Sequence, residues 1–227
     1  MSDTDALTAA ATGMRVQAAT LDVIAHNLAN SSSAGFRARH EAFVSLGNEL
    51  VSDIGVSSAQ GPLHRTDVPT DVALFGQGYF AVATADGVRY TRDGRFAVDA
   101  RGHLSDTRGN PVLGALGPAR FPSGSRIDEQ GRIFASGHVV DRLRVVAFDK
   151  PCTEGQDGLF VAPHGCTPRR APARVRVGYL EDSGVDAVAE MTALVAAERA
   201  YEANEKSAAR TDESLRRLVT DVPVVRS

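Results

Sequence analysis

Histidine, cysteine and the Asp-Gly pairs are the residues of this sequence whose types and spacing suit metal binding, nucleophilic attack or ligand loops. Six histidines (His26, His40, His64, His103, His138 and His164) are scattered, and no two stand four apart as helical metal ligands do. Cys152 and Cys166 are the only cysteines. With His164 they supply three donors, one short of the four a structural zinc takes. The pair would close a small loop, either as a disulfide in an oxidising compartment or as two free thiols, and spacing leaves both open. Asp86, Asp93 and Asp157 each precede a glycine but lack the alternating carboxylates of a calcium loop. Gly76-Gln77-Gly78 is a fragment of a dinucleotide fingerprint, yet an aromatic strand follows it where a helix should begin, so it reads as a turn. No Gly-x-Ser-x-Gly elbow and no P-loop occur. The pattern predicts no catalytic residue, no cofactor and no metal.

Composition narrows the classes further. The 227 residues are 43% hydrophobic and 23% charged, outside the profile of disordered chains. Twenty-eight acids against 25 bases give a net charge of −3, without the basic excess of a nucleic-acid binder. Arg169, Arg170, Arg174 and Arg176 form a local basic run among prolines, which reads as a solvated loop. No apolar run approaches the ~18 residues of a membrane span. The opening MSDTDALTAAATGM has neither a basic n-region nor a continuous apolar stretch, so no cleavable signal is expected.

The two ends share one pattern. Residues 5–30 contain no proline and one glycine, and Leu7, Met14, Leu21 and Leu28 recur every seven residues. Ala11, Ala18 and Ala25 fill the companion positions, as in a heptad seam. A helix of this length spans roughly 40 Å. Residues 185–219 repeat the pattern, with Ala187, Leu194, Tyr201, Ala208 and Leu215 in one row. Met191, Ala197, Asn204, Thr211 and Leu218 form the other row, and Ser183 is the predicted N-cap. The seams serve either an intramolecular pair or neighbouring copies of the chain.

Between the helices the sequence is β-type. Residues 71–84 alternate and 85–87 turn into 88–91, while 126–133, 139–148 and 159–162 are also strand-like. In TRDGRFAVDARGHLSDTRGNPVLG (residues 91–114), Asp93-Gly94 predicts a tight hairpin turn with Gly94 at positive φ. A second turn at 100–102 follows, then a strand from Leu104. The fold class expected is α+β, with the terminal helices pairing as a coiled-coil-like layer around a central all-β domain. The expected boundaries are 1–66 for the N-terminal helix and extended connector, 67–182 for the β domain and 183–227 for the C-terminal helix.

Three motifs then carry a resemblance. LDVIAHNLANSSSAGFRAR (residues 21–39) resembles the N-terminal signature of flagellar rod and hook proteins, through Asn27, Leu28, Ala29, Asn30, Gly35, Phe36 and Arg37. Tyr90-Thr91-Arg92-Asp93-Gly94-Arg95-Phe96 resembles the family's central stretch. ERAYEANEKSAARTDESL resembles its C-terminal motif through Arg199, Ala200, Tyr201, Glu202, Ala203, Asn204 and Lys206. Ser33 stands where many members have Thr, His26 where many have Asn, and Glu198 where Gln is common. The chain shares features with both proximal and distal rod types.

The resemblance implies a structural rod subunit, not an enzyme, assembled helically in the periplasm as a drive shaft for motility. The alternative it allows is an adaptor or cap-like member that is not a main rod subunit. It implies export by the flagellar type III apparatus, and partners that are copies of the chain and other rod or hook subunits, with no nucleic acid or small-molecule substrate. The assembly residues it points to are Leu7, Met14, Leu21, Asn27, Leu28, Asn30, Gly35, Phe36, Leu194, Arg199, Tyr201, Asn204 and Leu215.

Overall fold

The computed structural model describes residues 3–46, 49–155 and 158–220. In chain order these form α1 (Asp3–Ala29), β1 (Arg39–Leu46), β2 (Glu49–Val56), β3 (Leu63–Arg65), β4 (Val72–Phe75), β5 (Tyr79–Thr84) and β6 (Gly87–Thr91). There follow β7 (Ala97–Val98), β8 (Leu104–Ser105), β9 (Arg126–Ile127), β10 (Arg132–Ala135), β11 (His138–Arg142) and β12 (Val145–Ala147). The chain ends with β13 (Thr153–Glu154), β14 (Phe160–Val161), β15 (Arg169–Arg170), β16 (Arg174–Val177), β17 (Tyr179–Glu181) and α2 (Ala187–Thr220). Two compact units result: α1 and α2 with the β1–β2 pair, and a β-rich unit of residues 30–38 and 56–185.

In the helical unit α1 and α2 run against each other, but not as the coiled-coil-like layer the heptads predict. Ala11, Ala18 and Ala25, the expected companion row of the α1 seam, are exposed. The buried side of α1 is instead Val23, Ile24 and Asn27, with Gly13, Val16 and Thr20 half-buried along the same stripe. On α2 the row Ala187, Leu194, Tyr201 and Ala208 does turn inward, but Met191 of the second row is 53% exposed. Polar groups occupy the contact: Asn27 Nδ2 donates to Glu190 Oε1 at 2.9 Å, and the Asn204 amide lies where Gly13 leaves room for it. A knobs-into-holes seam needs apolar residues at these places. The helix start is also shifted. Asp186, not Ser183, caps α2, its Oδ1 accepting from the backbone N–H of Val188 (3.0 Å) and Ala189 (3.1 Å).

The β-rich unit is built on a six-stranded sheet of order β13-β14-β6-β5-β12-β15. Period-2 alternation along β5 sends Phe80 and Val82 to one face, into a cluster with Leu74, Phe96, Leu104, Val112 and Ile133. Ala81 goes to the other face, with Tyr90, Val146, Cys152 and Phe160. Both faces are thus covered, which is why this strand reads as a nearly unbroken apolar run. Cys152 is buried and Cys166 half-buried, both as free thiols, and burial pushes the Cys152 thiol up to about 12.

One turn recurs three times: Asp99–His103, Asp106–Asn110 and Asp128–Arg132. In each, the aspartate Oδ1 accepts from the backbone N–H two and four residues on, at 2.8–3.0 Å. The fourth residue is glycine at positive φ (76°, 84° and 73°), and its N–H closes on the aspartate carbonyl. This is a type I turn followed by a left-handed glycine, in which aspartate serves the first position and glycine the fourth.

Candidate functional site

The charged residues that converge do so in the β-rich unit, around the carboxylate of Glu181. Arg92 and Glu181 are both fully buried as side chains and meet through Nη2 and Oε2 at 2.6 Å, with a second bond from Nε at 2.8 Å. Arg37 approaches the other oxygen, Oε1, at 3.4 Å, and the Gly61 N–H donates to the same atom at 3.2 Å. Further guanidinium donors go to carbonyls, while Arg37 Nε is buried without a hydrogen bond. Arg92 reaches Gly76 (2.9 Å), Gly78 (2.7 Å) and Leu74 (3.4 Å), and Arg37 reaches Ser58 (2.7 Å) and Ala59. Burial lowers the Arg92 pKa, and the Glu181 charge works against that shift. A guanidinium nonetheless stays protonated at any physiological pH.

The arrangement decides the meaning of Gly76-Gln77-Gly78. A phosphate-binding loop aims N–H groups at an anion. Here the two glycines aim carbonyls at a buried cation, so the segment is a socket for Arg92.

Backbone geometry locks the same knot. Gly35, at φ 67°, lies so close to the Arg92–Asp93 peptide that an added Cβ would strike it, and its N–H donates to the Glu181 carbonyl at 2.7 Å. The Gly184 N–H donates to the Phe36 carbonyl at 2.9 Å. The segments that follow α1 and precede α2 are therefore laced together and pinned to the strand end after β6. Asp93-Gly94 is not the expected hairpin turn, and Gly94 is not at positive φ. It is glycine because a Cβ there would land on the Val72 carbonyl oxygen. Asp93 folds back on Arg95, with Oδ2 at 2.8 Å from Nη2.

In the helical unit, Asn27 is 2% exposed. Its amide donates to the Arg39 carbonyl at 2.9 Å and accepts from the Arg39 N–H at 2.8 Å, a two-point grip on the chain beyond α1. Asn30 begins the intervening turn, its carbonyl accepting from Ser33 N–H at 3.0 Å. Met14, Leu21, Leu28, Phe36, Leu194, Tyr201 and Asn204 are half-buried, and Arg199 is exposed. Leu7 and Leu215 lie on the helices, but their side chains fall outside the described residues. Arg37, Arg92 and Glu181, which make the clasp, are not among the assembly residues drawn from the resemblance. Their signal in sequence is the basic residue after Gly35-Phe36 and the arginine in Thr91-Arg92-Asp93-Gly94. Glu181 carries no local signal at all.

The clasp lies wholly within the β-rich unit, and it joins the chain segments at residues 35–37, 92 and 181 into one structural core. Two family models match: Flagellar hook protein FlgE/F/G D1 domain over residues 73–135, and Flagellar basal body rod FlgEFG protein C-terminal over 176–221. Arg92 falls in the first stretch and Glu181 in the second. Among similar proteins, the flagellar basal-body rod protein FlgF of Escherichia coli is 34% identical, covering 85% of this chain and 88% of its own. FlgF of Mesorhizobium japonicum is 31% identical (87% and 91% covered), and FlgG of Borreliella burgdorferi is 30% identical (92% and 96%). The chain belongs to the flagellar basal-body rod protein family.

Proposed function

We propose that the chain is a structural subunit of the bacterial flagellar basal-body rod, acting with other rod and hook subunits and carrying out no catalysis. The observation that supports this beyond family membership is an apolar stripe left open on α2: Val188, Met191 and Val195 are 75%, 53% and 48% exposed. They stand at i, i+3 and i+7, one face of a helix whose opposite face already rests on α1. Such a stripe asks for neighbours, and a helical array of copies supplies them through contacts that do not close into a ring. The reading implies a periplasmic site reached through the flagellar type III export apparatus. Leu21, Leu28, Leu194 and Tyr201, half-buried in the lone chain, would be covered fully only within such an array. Mass spectrometry and antibody labelling of purified basal bodies test the reading. The chain should be found along the rod, and its absence from intact basal bodies would reject it.

A further inference from the structure

The basic run read as a solvated loop partly lines an open groove of about 830 Å³ in the β-rich unit. Ligand sites commonly span ~300–1,000 Å³. Part of the lining is apolar and accessible, from Val88, Val145, Pro172 and Ala173. The rim is cationic: five arginines line the groove against one carboxylate, Glu129. Arg169 is committed to Asp149 at 2.8 Å. Arg142, Arg144, Arg170 and Arg174 have no ion-pair partner among the described residues. The Arg142 Nε is in addition shielded from solvent without a hydrogen bond. A chain of net charge −3 has thus gathered four uncompensated guanidinium groups around one apolar trough. Such clustering focuses a positive field and is relieved by carboxylates that meet the guanidinium fork.

From this we infer that the groove docks an acidic, extended segment of a partner protein. Its carboxylates sit on the arginine rim and its apolar side chains against Val88, Val145, Pro172 and Ala173. The alternation of an extended strand delivers the two kinds of side chain to opposite sides, one toward the apolar lining and one toward a rim. A nucleic acid would leave the apolar lining unused and prefer a longer basic surface, and a free phosphate would fill only the rim.

The test uses the full chain and a fluorescently labelled peptide alternating glutamate with valine, followed by anisotropy at low and high salt. Matched peptides replace glutamate with glutamine, or valine with serine. The acidic, apolar peptide should bind about tenfold more tightly than either control and weaken as salt rises. Arg170→Glu and Arg174→Glu, both at exposed positions, should each reduce that binding about tenfold while leaving the thermal transition in place. Equal binding of the glutamine peptide, equal binding of the serine peptide, or indifference to both arginine substitutions would each overturn the inference. Binding no tighter than millimolar by every peptide would do the same. If sedimentation shows a dimer that Arg170→Glu dissolves, the occupant is a second copy and the partner assignment fails.

Discussion

At the scale of single residues, the strongest commitment is the burial of Glu181 between Arg92 and Arg37. Isolated buried charge is costly, so the two arginines and the carboxylate each depend on the others. Removing the shared anion leaves both guanidinium groups uncompensated, and Glu181→Ala should destabilise the β-rich unit by about 3–5 kcal/mol. Urea unfolding monitored on that unit would check the value, and a loss below ~1 kcal/mol would mean the clasp is dispensable. Gly94 makes a second case. Because its crowding comes from the Val72 carbonyl and not from its own dihedrals, Gly94→Ala should destabilise nearly as much as Gly94→Val. A positive-φ turn would instead tolerate alanine far better than a β-branched residue. Burial of Cys152, with its thiol pushed up to about 12, keeps the thiolate scarce at neutral pH. At pH 8 a maleimide should therefore modify one cysteine in the folded chain and both after denaturation. Two fast reactions in the native protein would contradict the packing around Cys152.

Among the elements, the three Asp-x-x-Gly turns are the clearest case of local chemistry fixing backbone shape. The His103 N–H, and with it the Arg101 N–H, holds the Asp99 carboxyl below the usual carboxylate range. A depressed folded pKa gives stability that is fully present above the unfolded value near ~4 and is lost as pH falls through the folded one. Asp99→Asn keeps the acceptor oxygen and loses the titration. Its melting temperature should fall less steeply than the wild type's between pH ~4 and ~2, and parallel acid limbs would remove Asp99 from the account. The turn at 100–102 was legible in sequence, and so were both long helices and the alternation of β5, but the stretch 126–133 read as one strand and is instead broken by the Asp128–Arg132 turn between β9 and β10. The α1 seam was not legible. Leu7, Met14, Leu21 and Leu28 mark one phase, but Val16, Val23 and Ile24 lie two or three positions away with equal spacing, and periodicity alone cannot choose between two overlapping stripes. The clasp was out of reach for a different reason. Its charges are separated by 55 and 89 positions (37 to 92, and 92 to 181), and only the folded sheet brings them together. The β1–β2 pair lies within a stretch that read as extended connector, since its eight-residue strands, RHEAFVSL and ELVSDIGV, carry no strong period.

For the molecule as a whole, family membership makes the chain a flagellar basal-body rod protein, and the role proposed above requires surfaces that meet neighbours. The surface proposed for them is the exposed stripe of Val188, Met191 and Val195 on α2. These side chains gain little within the lone chain, so changing them costs the fold little. In an array they would be buried, and an unpaired carboxylate at such a place is prohibitive, by several kcal/mol per contact. A rod repeats that cost at every subunit. The decisive measurement is therefore complementation of a strain lacking this chain with a Val188→Asp, Met191→Asp variant, scored by electron microscopy of extracted basal bodies. The variant should be produced and should melt within about 2 °C of the wild type, as expected of surface changes, yet yield no complete rods and no swimming. Complete rods and normal swimming from the doubly charged variant would contradict the claim that this face of α2 builds the rod.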